Sequence, residues 1–460
     1  MQRGWLHNLT KLGASWAGTR NTRIWMAFSP PRGTGIAATR TATPLPDSAM
    51  EANQPPRSGA SMNVQVLVAT AARLVLNTAL RMPYPYLPVF SRGLGVPVPR
   101  LIELLSIRSA LAVGAPLLAQ LPDRFGRRRM MYLALAVFSA AMAFIALWPG
   151  LIALAVGSVL GLAAKILFDT SVQSYIGERV PYAHRGRVMA FLELSWSGAF
   201  FLGLPVVGWL LVNAASPADA WRAPFGPLAV LGLLAAAVLW LVMPHDPPRA
   251  HASARTAGPG WAQVLRNPRV LGGLAVGVLI SGANENLSVV FGTWLEGSFA
   301  LALTAIGLAT AVIGVAELLG EGGVMVLSDR LGKRRAGIWG LVASIGAYAV
   351  LPALGRTLPG ALSGLFLVYL SFEFTLVTLI PLMSETMPDA RAHVMSAFMA
   401  SHAVGRMLGA LVGGRLLAAG ISSTGLVSAA LNVVALGILL AWVREDSDPR
   451  ELVPIDFPRK

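Results

Sequence analysis

The stretch LPDRFGRRRM at residues 121–130 recurs as LSDRLGKRRA at residues 327–336. Both copies follow the pattern D-R-x-G-x-R-R, and their aspartates, Asp123 and Asp329, lie 206 residues apart (329 minus 123). Only 13% of the residues in this chain are charged. The same compact block of charge therefore occurs twice, nearly half the chain length apart. This repetition indicates that a larger unit of the chain is repeated.

The composition indicates that lipid, not water, surrounds most of the chain. Hydrophobic residues make up 55% of the sequence and the mean hydropathy is +0.62, whereas a soluble domain carries about 25% charged residues. The absence of cysteine excludes disulfides, thiolate catalysis and cysteine metal sites. The net charge of +15 does not indicate nucleic-acid binding here, because the basic residues collect in short loops and in the first sixty positions.

Twelve segments meet the requirement of about 20 mostly apolar residues for a membrane-spanning helix, and we number them spans 1 to 12. In the first half of the chain they cover 63–90, 101–121, 130–148, 150–176, 188–213 and 224–243. In the second half they cover 270–295, 300–326, 337–355, 358–383, 393–418 and 424–443. The sequence therefore predicts an all-α membrane protein with twelve transmembrane helices.

The distribution of basic residues predicts the orientation in the membrane. The loops after spans 2, 4, 6 and 8 hold three or four arginine or lysine residues each, whereas the loops after odd-numbered spans hold at most two. Because cytoplasmic loops carry an excess of such residues, we expect the even-numbered loops and both termini to be cytoplasmic. The expected location is the inner (plasma) membrane, with the chain crossing it many times.

A polar segment rich in proline, glycine and alanine divides the spans into two sets of six. This linker covers 244–269 and separates a bundle at 63–243 from a bundle at 270–443, which a tail at 444–460 follows. The two D-R-x-G-x-R-R blocks occupy the same register in both sets. The sequence thus predicts two six-helix bundles related by pseudo-two-fold symmetry, an arrangement found among transporters.

Residues 1–62 form a basic leader with no apolar run long enough for a signal-peptide core. We interpret it as disordered, or as the result of a start codon assigned too early, with Met50 and Met62 as alternative starts; a transit peptide is the other possibility. We expect a chain that begins at Met62 to insert and transport normally, measured as membrane expression and uptake. Loss of insertion would contradict this interpretation.

The two loops resemble the signature loops of the major facilitator superfamily of transporters. The block 123–129 matches the loop between helices 2 and 3 of that family. The block 329–335 matches the second copy of that loop, between helices 8 and 9. The family pattern has glycine where this chain has Ala119 and Met325. The resemblance implies a transporter rather than an enzyme, with a small-molecule substrate and no cofactor or metal, and we expect a monomer.

In this family the loop aspartate contacts the cytoplasmic ends of neighbouring helices and holds the inner side closed. The resemblance implies gating roles for nine residues, namely Asp123, Arg124, Gly126, Arg127, Arg128, Asp329, Arg330, Gly332 and Arg334. The glycines permit a tight turn, and the arginines add charge-assisted bonds. The alternative is that each loop serves only as a topological anchor.

Five ionisable residues are predicted to lie inside the membrane on helices 1, 4, 7 and 10, which line the central cavity in this fold: Arg73, Lys165, Asp169, Glu285 and Glu373. A charge at mid-bilayer costs about 2.5–3.5 kcal/mol on insertion scales, so each needs a partner or a function. Lys165 and Asp169 are spaced i, i+4 and can pair. Glu285 and Glu373 are candidates for proton or substrate binding, or for pairing across helices with Arg73.

Three further carboxylates, Glu193, Glu317 and Glu321, are predicted to contact the basic loops. In span 5 the segment GAFFLGLPVVG at 198–208 resembles the antiporter motif of the family. It departs from that motif because Leu204 separates Gly203 from Pro205. This segment favours export.

The sequence supports a secondary transporter, with a proton as the expected coupling ion. One hypothesis is proton-coupled export; the other is an importer, symporter or facilitator of a sugar-like or other small metabolite. An ATP-driven pump or an intramembrane enzyme is disfavoured because the sequence contains no G-x-x-x-x-G-K-[ST], H-E-x-x-H or G-x-S-x-G motif.

Overall fold

The computed structural model describes residues 60–118, 120–244 and 260–443. The predicted leader, most of the linker and the tail lie outside these residues. Within the described part the apolar segments are helical, as expected because a helix satisfies every backbone polar group within its own segment in lipid. Among the described residues, eleven helices are long and apolar enough to cross a membrane.

The helices of the first half correspond to spans 1 to 6. Their bounds are Met62–Arg81 and Pro83–Leu94 (span 1), Val98–Ala110 and Ala115–Leu118 (span 2), Arg127–Leu147 (span 3), Leu151–Arg179 (span 4), Tyr182–Gly198 and Leu204–Val212 (span 5), and Phe225–Val242 (span 6). A short helix at Leu121–Phe125 leads from span 2 into the first charged loop.

The helices of the second half correspond to spans 7 to 12. Their bounds are Pro268–Ser288 and Phe291–Phe299 (span 7), Leu303–Leu331 (span 8), Lys333–Leu354 (span 9), Leu358–Thr386 (span 10), Arg391–Leu416 (span 11) and Gly420–Trp442 (span 12). A single-turn helix at Trp261–Val264 precedes span 7.

Span 2 is divided into shorter helical segments. Its α-helix ends at Ala110, a 3₁₀ turn covers Leu111–Gly114, and a short helix follows at Ala115–Leu118. Pro116 accounts for the break, because proline has no N–H for the i−4 carbonyl and its ring crowds the preceding turn. The twelfth predicted position is therefore occupied by a segmented helix, and the all-α membrane fold is confirmed.

Span 5 contains a π-helical turn at Ala199–Gly203, where the chain departs from the antiporter motif. The Leu204 N–H donates to the carbonyl of Ala199, five residues earlier. The same pattern would have residue 205 donate to the carbonyl of Phe200, but Pro205 has no N–H. The Thr310 hydroxyl of span 8 lies 3.1 Å from this Phe200 carbonyl oxygen and 2.6 Å from the carbonyl oxygen of Gly307 in its own helix, so the two acceptors compete for its one proton. Span 8 of the other half therefore approaches the π turn with a polar group at this point.

We call the end of the molecule that carries the loops 120–127 and 327–335 the basic end, and the other the opposite end. The two halves make their closest contacts from the middle of the molecule to the opposite end. A Cβ atom at Gly292 of span 7 would lie 2.4 Å from the Pro85 carbonyl oxygen of span 1, and Arg92 binds Glu296 at 2.8 Å. Further close approaches join Gly208 with Leu303, Gly307 with Pro205, and Gly414 with Ile102.

Candidate functional site

The two charged loops at the basic end make equivalent contacts in the two halves. Arg128 donates to the backbone carbonyl of Trp240, at the end of span 6, at 2.7 Å. Arg334 donates to the carbonyls of Val443 at 2.7 Å and Leu440 at 3.0 Å, at the end of span 12. The last carbonyls of a helix have no intrahelical partner and carry the negative end of its dipole. Each arginine therefore caps the last helix of its own half.

The first basic residue of each loop also has an equivalent partner. Arg127 pairs with Glu178 at the end of span 4, and Lys333 pairs with Glu385 at the end of span 10. Arg127 also contacts Asp123 at 3.4 Å, and the Asp123 side chain is 57% exposed. The repeated block therefore ties the ends of corresponding helices together in both halves.

The remaining predicted gating residues complete the two turns. Gly126 has φ of 103° and Gly332 has φ of 80°, a backbone conformation that residues other than glycine rarely adopt. Arg124 and Arg330 are exposed. The side chain of Asp329 lies outside the described part of the structure, so its predicted role remains a prediction.

Loss of an arginine cap is expected to destabilise the protein. Arg334→Gln removes charge-assisted hydrogen bonds worth about 1.5–3 kcal/mol each, so we expect a melting temperature several degrees below wild type, and a similar effect from Arg128→Gln. Thermal unfolding in detergent measures it. Arg335→Gln, at an exposed position of the same loop, is the matched control. Equal melting temperatures for all three variants would contradict the capping role.

A buried ionic network centred on Arg73 occupies the first half. The Arg73 Nε donates to Asp169 Oδ1 at 2.9 Å, and its Nη1 donates to Glu193 Oε2 at 2.7 Å and to the Leu192 carbonyl at 3.1 Å. Asp169 also binds Lys165, one helical turn earlier on span 4. The predicted Lys165–Asp169 contact is therefore present, and Arg73 extends it to spans 1 and 5.

This network corrects two predictions. Arg73 is bound to Asp169 and Glu193 and not to Glu285 or Glu373, so the predicted pairing of Arg73 with those two carboxylates is wrong. Glu193 was predicted to contact the basic loops, but its partner is the buried Arg73. Its side chain remains 41% exposed.

A second ion pair joins the two halves. Arg81 of span 1 donates to both carboxylate oxygens of Glu317 on span 8, at 2.9 and 3.1 Å, and both side chains are buried. The guanidinium also lies against the rings of Trp196 and Phe200. Glu317 was predicted to contact the basic loops, and the structure places it instead in the middle of the molecule.

Glu285 takes part in a third contact between the halves. Tyr84 of span 1 donates its hydroxyl to Glu285 Oε1 of span 7 at 2.7 Å. Arg108 of span 2 in turn donates to the Tyr84 oxygen at 3.2 Å. Glu285 also interacts with the charge of Arg406 on span 11. The predicted carboxylate is thus buried beside cationic groups from both halves.

Glu373 of span 10 is buried, and its Oε2 atom has no hydrogen-bond partner among the described residues. The charges that act on it include those of Glu317, Glu321 and Arg81. An unpartnered buried carboxylate oxygen is unusual, because burying a charged group without a partner is unfavourable. Glu373 therefore has the surroundings of a group that changes its protonation or its partner.

Arg81 and Asn77 were not among the predicted site residues, whereas Tyr84 was one of the aromatic residues expected to line either a pocket or the core. Arg81 and Asn77 lie on span 1 beyond Arg73, and the polar residues Arg73, Asn77 and Arg81 recur at intervals of four. Residues four apart share a helix face, so this spacing was the available signal. Asn77 donates to Ser195 at 3.3 Å, beside the Arg73 network.

Two helical bundles with buried charges at their interface define the class of the protein: a multi-pass membrane carrier. The Major Facilitator Superfamily model matches residues 69–289 and 274–459. The chain belongs to this superfamily. It is therefore a transporter of a small solute and not an enzyme, as the sequence predicted.

Individual proteins support the same assignment. The chain is 26% identical over 406 residues to the MFS-type transporter YwfA of Bacillus subtilis strain 168, covering 83% of this chain and 90% of that protein. Among solved structures, the bacterial homolog of the human lysosomal transporter Spinster has a TM-score of 0.67 at 15% identity, covering 82% of this chain and 96% of that one. The D-xylose–proton symporter has a TM-score of 0.67 at 19% identity, covering 84% and 99%. At these identities the two structures establish the fold alone.

Proposed function

We propose that the protein exports a small solute by alternating access, in exchange for protons, across the inner (plasma) membrane. In this proposal the basic end faces the cytoplasm, because the arginine-rich loops lie there. The molecule acts as a monomer with one path between its two halves. The proposed bundles, 63–243 and 270–443, move against each other about the linker 244–269.

The contacts between the halves support an alternating mechanism. The close approaches described above run from the middle to the opposite end, while the side chain of Glu193, nearer the basic end, is partly exposed. This state is inward-facing if the basic end is cytoplasmic. In the alternative state the two halves separate at the opposite end and come together at the basic end. Asp123 is proposed to stabilise the closed basic end.

The observation that carries the proton coupling is the buried Glu373 carboxylate with its unpartnered oxygen. A buried carboxylate oxygen without a hydrogen-bond partner is a group at which either a proton or a cation can bind. Movement of the halves changes the distance of Arg81 and of solvent from Glu373, and of Tyr84 from Glu285. Each carboxylate can therefore bind a proton in one state and release it in the other.

The test is transport in inverted vesicles with an imposed pH gradient. The vesicles contain the full chain, and a panel of lipophilic compounds and sugars serves as substrates. Accumulation that depends on an acidic lumen and collapses with a protonophore supports proton-coupled export. Accumulation in the reverse direction would support a symporter, the reading that the name of the D-xylose–proton symporter suggests. Equilibration without accumulation would identify a facilitator.

The gating role of the first loop gives a separate prediction. Asp123→Asn keeps the size of the side chain but removes the charge proposed to hold the basic end closed, so we expect transport to fall at least about tenfold while expression persists. We expect a smaller loss for Asp329→Asn, because the second copy departs further from the family pattern. Initial uptake rates, normalised to protein in the membrane, measure both effects. Equal tolerance of the two substitutions would contradict a gating role.

A further inference from the structure

The Arg81 guanidinium occupies a box formed by two aromatic rings and a carboxylate. Its central carbon lies 3.6 Å from the centroid of the Trp196 ring and 4.1 Å from that of Phe200. Glu317 accepts its three hydrogen bonds, at 2.9, 3.1 and 3.1 Å. Aromatic faces attract cations because of the ring quadrupole. The box therefore has the chemistry of a site for an organic cation, and in this state a side chain of the protein fills it.

The surroundings of the box carry an excess of negative charge. Glu321 lies one helical turn from Glu317 towards the basic end, and it interacts with the charges of both Glu317 and Glu193. Glu373 interacts with the same group of carboxylates and has an unpartnered buried oxygen. The facing cations besides Arg81 are Arg73, which binds Glu193 and Asp169, and Lys165, which binds Asp169 and lies 5.5 Å from the centroid of the Trp196 ring. A further positive charge is thus favoured here.

Some groups around the box are partly exposed. Glu193 precedes Trp196 by three residues on span 5, and its side chain is 41% exposed. Trp196 and Glu321 are half-buried, whereas Glu317 and Phe200 are buried. On the proposed path a molecule therefore meets the carboxylates of Glu193 and Glu321 before it reaches Phe200 and Glu317.

We infer that the transported substrate is an amphipathic organic cation, which displaces the Arg81 guanidinium from Glu317 and binds between Trp196 and Phe200. This inference rests on the proposed transport function and specifies the substrate class. A guanidinium or a substituted ammonium or phosphonium ion satisfies both the carboxylate and the rings. A neutral sugar or an organic anion lacks the charge that Glu317 requires.

The displaced Arg81 has an alternative partner within electrostatic range. Glu373 already interacts with the Arg81 charge, and its free oxygen can accept a guanidinium N–H. Substrate binding at Glu317 would then break the Arg81–Glu317 bond between the halves and replace it with a contact to span 10. The cation thus binds Glu317 in the same step in which Arg81 leaves Glu317 for Glu373, and this step also breaks the contact between the halves.

Equilibrium binding of tetraphenylphosphonium to the purified full-length protein in detergent tests the inference. Tetraphenylborate, an anion of closely similar shape and lipophilicity, separates recognition of charge from partition into the micelle. We expect saturable binding of the cation and none of the anion. Saturable binding of both ions, or of neither, would overturn the inference.

Substitutions of different residues of the box are expected to change the affinity for tetraphenylphosphonium in opposite directions. Glu317→Gln should weaken tetraphenylphosphonium binding at least about tenfold, because the buried counter-charge is lost. Trp196→Leu should weaken it about threefold to tenfold through the lost cation–π contact. Arg81→Met should strengthen binding, because the competing guanidinium is removed. If Arg81 has only a structural role, Arg81→Met will not increase the affinity for tetraphenylphosphonium. That result would overturn the inference that the substrate displaces the Arg81 guanidinium.

A matched control lies at another ion pair between the halves. Arg92→Gln breaks the Arg92–Glu296 pair at the opposite end, where no aromatic cage is described. We expect its tetraphenylphosphonium affinity to equal that of wild type, and each variant must elute as a monodisperse peak. If the cation binds as expected but vesicles show no gradient-dependent transport, the proposed function fails and the cation site stands. If vesicles transport other solutes and the cation does not bind, only the present inference fails.

Discussion

Gly292→Leu is expected to reduce transport by at least about tenfold, because the substitution prevents the opposite end from closing. Even the first side-chain atom would lie 2.4–2.6 Å from the carbonyl oxygen, Cα and carbonyl carbon of Pro85. These are backbone atoms of the other half, so a rotamer change cannot relieve the clash. The halves must instead move apart, which favours the state that is open at the opposite end.

The arrest can be measured independently of transport. The native chain has no cysteine, and Arg92 and Glu296 are in contact across the halves at 2.8 Å. Cysteines introduced at both positions should be joined readily, by a bifunctional thiol reagent long enough to span the two replaced side chains, in the otherwise native protein and poorly in the Gly292→Leu background. Gly346→Leu is the control, because no atom lies within 4 Å of a Cβ at that exposed position of span 9. Undiminished cross-linking together with undiminished transport in Gly292→Leu would show that the clash does not govern closure.

Replacement of the coupling carboxylates is expected to uncouple transport from the pH gradient. We expect Glu373→Gln or Glu285→Gln to abolish accumulation driven by the gradient while exchange of substrate between equal pools continues. Glutamine mimics the protonated carboxyl in shape, and the amide oxygen at position 285 can still accept the Tyr84 hydroxyl. Substrate binding in the coupling variant should be independent of pH between about 5 and 8.

The control for uncoupling is Glu103→Gln, which alters an exposed pair with Arg100 on span 2. It should retain both accumulation and exchange. If Glu373→Gln and Glu285→Gln both keep concentrative transport with the pH dependence of wild type, neither residue carries the proton. A facilitator or a carrier coupled to another cation would then be the better description.

The sequence predicted the architecture because its signals were local. The repeated D-R-x-G-x-R-R block, the apolar run lengths and the basic loops each depend on neighbouring residues, and so does the i, i+4 pair Lys165–Asp169. The break in span 2 was also readable in principle from Pro116. Prolines occur in several spans, however, and packing decides which of them interrupts its helix.

The partners of the charged residues could not be read from the sequence. Arg81 and Glu317 are 236 residues apart, and their pairing follows from how the halves meet, which no local pattern specifies. The same applies to Tyr84 and Glu285. Arg73 lies on the helix of span 1, as the sequence predicted, but its partners are on spans 4 and 5 of the same bundle and not on spans 7 and 10.

The π turn of span 5 also constrains what must happen to water during the transport cycle. The Phe200 carbonyl oxygen has the Thr310 hydroxyl of the other half as a polar neighbour at 3.1 Å, so separation of the halves removes that neighbour in the interior of the membrane. An amide group without a partner in an apolar environment costs about 2–7 kcal/mol. Water must therefore reach this depth as the halves part, which makes hydration of the pathway a component of the opening motion itself.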